Sequence, residues 1–246
     1  ALRGAFNVAM SGAQVAFIVP TTLLCSQHYE NFTKRFKNFP LKVDQISRLN
    51  STSETNKIIE RINSGESDVV VGTHALLNSK IKFKKLGMLI IDEEQHFGVS
   101  QKEKIKSLRS NVHVLALTAT PIPRTLQMSL VGLRDLSIIS TAPLNRQNIN
   151  TEVIDFNDEK IISAIEYELS RNGQVYYVCP RINELKEVED FLKSKLPNVK
   201  YQIAHGQMPS KNLKNTMIDF YNNEFQLLLC TTIVESGLDL QKTNTM

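Results

Sequence analysis

The chain has 246 residues, 41% hydrophobic and 22% charged, with a net charge of +4. That length and apolar share suffice for one large or two modest globular domains with proper cores. The longest apolar runs are about five residues, which excludes a membrane-spanning helix, and the N-terminus lacks the charged region, apolar core and cleavage site of a signal peptide.

Cys25, Cys179 and Cys230 are widely spaced, with no Cys-x-x-Cys pair. This argues against a disulfide framework or zinc site and for core packing in a reducing, cytoplasmic setting. The charge is uneven: residues 1–145 carry a net +7 and residues 146–246 a net −3. A basic first half suits a polyanionic partner, although a solvated Lys-rich surface accounts for it equally well.

The chain starts without an initiator Met, in the helix-like run Ala1-Leu2-Arg3-Gly4-Ala5-Phe6, and reads as an internal piece of a longer protein. A strand is predicted at Val15–Val19, then helices at 22–36 and 53–64. The second of these opens on the capping box Ser51-x-x-Glu54. Strands at Val69–Val71 and Met88–Ile91 follow, then a helix at 99–109, a strand at Val112–Leu117 and a helix at 122–132. Pro143 opposes regular structure, and the charge balance changes sign nearby, so a linker is placed at about 141–150.

Beyond it come strands at Val153–Ile154, Val175–Cys179, Tyr201–Ala204 and Leu227–Cys230. Helices at 158–171, 183–195 and 210–223 separate them, with Asp158 and Ser210 as N-caps. The strand runs are continuously apolar rather than alternating, as buried strands are. Such alternation of strand and helix predicts an α/β fold with parallel sheets covered on both faces. Two incomplete tandem domains are expected, residues 1–143 and 144–246.

Open parallel sheets bind ligands beyond the carboxyl ends of their strands, and the polar clusters of this sequence fall there. Asp92-Glu93 follows Met88–Ile91, and Thr118-Ala119-Thr120 follows Val112–Leu117. Asp92 suits a Mg2+ contact made through water, because Mg2+ keeps much of its hydration shell. Glu93 is placed to orient or deprotonate an attacking water. An acidic surface turn is the plain alternative for Asp-Glu-Glu alone, but the buried strand before it and Thr-Ala-Thr after it weigh against that. Thr118 and Thr120 offer hydroxyls to relay the nucleotide state, against the local rival of a turn before Pro121.

Thr21, Thr73 with His74, Thr231 and Thr232 lie in loops near helix starts. Small donors there suit a phosphodiester backbone rather than base edges, with capping as the default role of any one Thr. Arg124, just inside a helix, either meets a phosphate or covers the surface. His28, His96 and His113 show no metal-ligand spacing and receive no catalytic role.

These motifs, in this order, resemble the superfamily-two helicases and translocases. Several runs resemble more narrowly the bacterial transcription-repair coupling factors: Pro20-Thr21-Thr22-Leu23-Leu24, Gly72-Thr73-His74-Ala75, Asp92-Glu93-Glu94-Gln95-His96, Thr118-Ala119-Thr120-Pro121-Ile122-Pro123-Arg124, Arg134-Asp135-Leu136-Ser137 and His205-Gly206-Gln207-Met208. The resemblance implies two RecA-like domains of an ATP- and Mg2+-dependent double-stranded DNA translocase. That enzyme displaces stalled RNA polymerase and recruits excision-repair proteins in the bacterial cytoplasm, at the nucleoid. It makes Asp92, Glu93 and Gln95 the catalytic motif, with Gln95 where many relatives carry His. It makes Thr118 to Thr120 the coupling motif, and it sets Gly237 and Asp239 near the nucleotide.

No phosphate-binding loop Gly-x-x-x-x-Gly-Lys-Ser/Thr occurs in the sequence, and the arginine-bearing motif expected later is also lacking. Both domains therefore read as truncated, RNA polymerase and repair proteins would be engaged by further domains, and the isolated segment is expected to be inactive. The nearest rival is the branched-DNA helicase that rescues replication forks. A non-enzymatic DNA-binding module with a degenerate nucleotide site is the rival of another class.

Overall fold

The structure is a computed structural model that describes residues 1–48, 50–98, 101, 104–105, 112–119, 135–141, 149–231, 240 and 242–246. The helices expected at 99–109 and 122–132 lie largely or wholly outside these residues. The chain divides into two compact units, Ala1–Ser140 and Thr141–Met246.

In the first unit, helix α1 (Leu2–Met10) leads into β1 (Gln14–Ile18), followed by α2 (Thr22–Phe36), β2 (Val43–Ile46) and α3 (Thr52–Ser64). Then come β3 (Val69–Gly72), a 3-10 turn at His74–Leu77, β4 (Leu86–Asp92), a second 3-10 turn at Glu94–His96, and β5 (His113–Leu117). The five strands form one sheet in the order β2-β3-β1-β4-β5, and every pairing is parallel. Side chains alternate across it. Ala16 and Ile18 join Ile58, Ile59 and Ile62 of α3 on one face, while Phe17 meets Phe32 of α2 edge-on at 5.4 Å on the other. A fully buried side chain of the size of Ile18, Ile62, Phe17 or Phe32 contributes about 1.5–3 kcal/mol relative to exposure.

Helix α3 begins and ends as its sequence dictates. The Ser51 hydroxyl accepts from the Glu54 amide at 3.2 Å, and the Glu54 carboxylate accepts from the Ser51 amide at 2.8 Å. Gly65 then takes the left-handed conformation (φ 83°) that closes the helix.

The second unit contains α4 (Asp158–Ser170), β6 (Gln174–Val178), α5 (Glu184–Lys195), β7 (Tyr201–Ala204), α6 (Ser210–Tyr221), β8 (Leu227–Cys230) and β9 (Thr243–Thr245). Its parallel sheet runs β7-β8-β6-β9. Val175, Leu227 and Leu229 pack with Ile165, Leu185 and Leu192 on one face. Tyr176 reaches Phe220 of α6 on the other, with ring centroids 5.1 Å apart.

Two glutamines repeat one design in the two units. Gln14 opens β1, and its side-chain amide donates to the carbonyls of Ile62 at 3.0 Å and Ser67 at 2.9 Å. Gln174 opens β6 and donates likewise to Phe220 at 2.8 Å and Phe225 at 3.0 Å. Each ties its strand to the end of a helix and to the loop entering a neighbouring strand.

Several expectations are corrected. Val153–Ile154 is not a strand: Val153 is 96% exposed, and the residues before α4 are irregular. An apolar pair alone cannot establish a strand without a partner edge. The strand at Val112–Leu117 forms as β5, but it is outermost in the sheet order and is not buried, with Val114 40% exposed. Asp158 is not an N-cap; Asn157 holds that place and accepts from the Lys160 amide at 3.0 Å. Pro209, not Ser210, precedes α6, and that helix ends at Tyr221. Strands β2 and β9 were not anticipated. Asp44 and Gln45 interrupt the apolar character of β2, and β9 is Thr243-Asn244-Thr245.

Candidate functional site

Strands β4 and β5 lie side by side with Asp92 opposite Leu117. The chain leaves β4 through Glu93 in a left-handed conformation (φ 49°, ψ 53°). For a residue other than glycine this costs roughly 1–3 kcal/mol, so neighbouring contacts must enforce it. Here the Glu93 amide donates to the Leu117 carbonyl at 3.0 Å. The side chain is 8% exposed. Its Oε2 accepts from the Gln95 side-chain amide and from the Thr118 hydroxyl at 3.4 Å. Since a carboxylate only accepts, Gln95 turns its NH2 toward Glu93.

Asp92 is oriented separately. Its Oδ2 lies 3.3 Å from Nε2 of His28 on α2, and the His28 ring packs on Phe17 with centroids 4.6 Å apart. A cavity of about 410 Å3 opens beside His28 and Phe17, and its lining includes Ala1, Arg3, Asn31, Phe32 and Leu117. Two adjacent acids thus stand at one strand end, each held by groups from a different element. Sequence reasoning brought Asp92, Glu93, Gln95 and Thr118 to this place but missed His28, because nothing in its spacing points to a residue 64 positions away.

Among the described residues no set of three or more His, Cys, Asp or Glu side chains could cage a metal ion. Mg2+ at nucleotide sites is usually bound by one or two carboxylates, with waters and phosphates supplying the rest. The Asp92 side chain, 19% exposed, can reach such a hydrated ion.

Of the expected DNA contacts, Thr21 follows β1, Thr73 and His74 follow β3, and Thr231 follows β8. Thr21 caps α2, accepting from the Leu24 amide at 3.3 Å. Thr73 is buried; its hydroxyl accepts from the Ala75 amide at 3.4 Å and its amide donates to the Ile46 carbonyl at 3.2 Å. Capping therefore accounts for the Thr73 hydroxyl. His74 is half-buried, and its Nε2 lies 3.3 Å from the guanidinium of Arg48, which follows β2. Burial first, and then the Arg48 charge, hold His74 below the ordinary imidazole range, so at neutral pH it accepts from Arg48 rather than competing with it. In the second unit Thr231 is buried and donates its amide to the Ala204 carbonyl at 3.2 Å. Thr120, Arg124, Thr232, Gly237 and Asp239 lie outside the described residues.

Residues 1–129, more than half of the chain, match the sequence model of the DEAD/DEAH box helicases. The chain belongs to that family. Residues 158–246 match the helicase conserved C-terminal domain, so this DEAD/DEAH box chain carries sequence of both helicase domain types.

Among curated relatives, the transcription-repair-coupling factor of Staphylococcus haemolyticus is 49% identical over 246 residues, all of this chain and 21% of that protein. That of Rickettsia prowazekii is 50% identical over 250 residues, covering all of this chain and 22% of that protein. The chain thus spans about a fifth of the length of these relatives. Among solved structures, RecG bound to a three-way DNA junction superposes with a TM-score of 0.72 at 31% identity, covering 95% of this chain and 31% of RecG. Saccharomyces cerevisiae Dbp5 bound to RNA and ADP BeF3 gives 0.69 at 16% identity, covering 94% and 61%, a likeness of fold alone. The two parallel-sheet units of this DEAD/DEAH box chain are of the RecA-like type that these helicases share.

Proposed function

We propose that this chain is the motor region of an ATP-dependent double-stranded DNA translocase that displaces stalled RNA polymerase and couples transcription to nucleotide excision repair. The observation that carries the ATPase part is Glu93, buried at a strand end and held by Gln95 and Thr118 beside Asp92. Residues 1–143 act as the first motor domain and 144–246 as the second. Mg2+, when bound with ATP, neutralises the phosphate charge.

Glu93 takes the proton of the attacking water. Gln95 and Thr118 occupy Oε2 and so fix which oxygen meets that water. Asp92 orients the hydrated cation. Thr120, Gly237 and Asp239 complete the nucleotide-linked set. Thr21, His74, Arg124, Thr231 and Thr232 hold DNA phosphates, and Thr73 shapes the loop that carries His74.

The coupling-factor assignment rests on near 50% identity over the whole chain, against 31% to RecG. Polymerase and repair proteins would be engaged by other parts of the longer protein, in the bacterial cytoplasm at the nucleoid. With no phosphate-binding loop in its sequence, the 246-residue segment alone should hydrolyse no ATP.

The deciding experiment uses the full-length protein and RNA polymerase stalled on duplex DNA. ATP-dependent release of the polymerase that Glu93→Gln abolishes is the expected result. Absence of release, with efficient unwinding of branched DNA instead, would favour the fork-rescue reading.

A further inference from the structure

The contact between His28 and Asp92 joins an α2 side chain to the acid at the end of β4, across 64 positions of sequence. Its geometry is set by packing. The His28 ring lies on Phe17, 4.6 Å between centroids, and the His28 side chain is 26% exposed. Phe17 in turn is buried and braced edge-on by Phe32. Nε2 is thereby aimed at one place. Because an ionised Asp92 only accepts, Nε2 carries the hydrogen and donates it to Oδ2.

Asp92 needs such a partner. The terminal torsion of Asp is broad, so a partly exposed carboxylate at a strand end turns readily. Hydrated Mg2+, in contrast, demands near-octahedral geometry and recognises a carboxylate in a narrow range of orientations. Glu93 cannot supply the orientation, since it is engaged by Gln95 and Thr118.

We infer that His28 is a positioning residue for Asp92: it occupies one carboxylate oxygen and presents the other to the hydrated cation of a bound nucleotide. The inference rests on the reading of Asp92 as the Mg2+-linked acid. His28 does not itself touch nucleotide or metal. It acts as outer-shell donors do at metal sites, where losing one costs about 10–100-fold in metal affinity.

The test is binding of a fluorescent, non-hydrolysable ATP analogue to the full-length protein, titrated with Mg2+, with a parallel series in EDTA. His28→Phe keeps an aromatic ring against Phe17 and removes the donor. His28→Gln restores a donor at the reach of Nε2. The expected result is that His28→Phe raises the half-saturating Mg2+ concentration about 10-fold, while affinity in EDTA stays as in the wild type. His28→Gln recovers most of the Mg2+ response.

Asp92→Asn separates the two levels of the argument. If it removes the Mg2+ response while His28→Phe leaves that response intact, the inference about His28 fails alone. If Asp92→Asn keeps the full response, the reading of Asp92 fails and takes the inference with it. In an Asp92→Asn background, His28→Phe should add nothing. An additive loss there would mark His28 as a general packing residue and overturn the inference, even if the single variant proved less stable.

Discussion

Gln14 and Gln174 are equivalent: each opens the strand that continues from a helix-to-strand turn, and each donates two hydrogen bonds to carbonyls of a helix end and a following loop. Both are buried. Replacing either by Leu keeps the bulk and takes the side-chain donor from the Ser67 or the Phe225 carbonyl, while Ile62 and Phe220 keep the Gly65 and Asn223 amides; a buried group left unsatisfied costs about 1–3 kcal/mol. Urea unfolding of Gln14→Leu and Gln174→Leu should show losses of that order, whereas Gln174→Glu would add an unpaired charge and lose more.

Glu93→Gln in the full-length protein should lower ATP hydrolysis by about 10²–10⁴-fold and leave nucleotide binding near normal. The amide keeps the shape and removes the proton acceptor. Steady-state phosphate release and equilibrium nucleotide binding, measured together, check it; near-normal turnover would remove Glu93 from the role.

Gln95 should be more sensitive to charge than to loss. Gln95→Ala removes one donor from Oε2 and leaves Thr118, so hydrolysis should fall about tenfold, as for a hydrogen bond to a charged group worth about 1.5 kcal/mol. Gln95→Glu sets a second carboxylate against Glu93 and should fall well below the Ala variant. Equal activities of the two variants would show that the Gln95 contact does not orient Glu93.

Acid should loosen both units through two buried carboxylates. Burial of Asp44 acts to raise its pKa, but hydrogen bonds from Arg61 and Ser67 and the Arg61 charge outweigh it, so the group titrates below the usual carboxylate range. Glu168 behaves alike: burial is offset by hydrogen bonds from Arg171, Thr245 and Asn244 and by the Arg171 charge. A depressed folded pKa contributes stability that is fully present above the unfolded value, near pH 4, and is lost as pH falls through the folded value. Stability measured from pH 7 down to about pH 3 should therefore drop below about pH 4. Asp44→Asn should be weaker at neutral pH and flatter in acid; an unchanged acid profile would contradict the assignment.

DNA binding by the full-length protein should be indifferent to base sequence and steep in salt. Thr21, His74 and the Arg48 beside it suit phosphates, and residues 1–145 carry a net +7. Contact with six to ten phosphates loses about 10³–10⁵ in affinity between about 50 and 200 mM salt. Competition binding with unrelated duplexes across that range measures both properties, and strong sequence preference with a flat salt response would refute it.

By itself the sequence determined where the central strands run and which polar groups stand at their ends. Val15–Val19, Val69–Val71, Met88–Ile91 and Leu227–Cys230 are apolar without a break, and continuous burial on both faces leaves such runs little choice. The Ser51–Glu54 capping box was equally legible, because its partners are three residues apart. The tertiary structure alone decided the rest. Strands β2 and β9 exist because β3 and β6 offer them open edges, and Asp44 is tolerated inside because Arg61 and Ser67 reach it. The same contrast divides the site. Asp92 and Glu93 follow from a local pattern, but what orients them does not: Thr118 comes from 25 residues away and His28 from 64. Hydrogen-bond partners that distant are set by which strands lie side by side, and that order is written in the packing of the sheet rather than in any short stretch of chain.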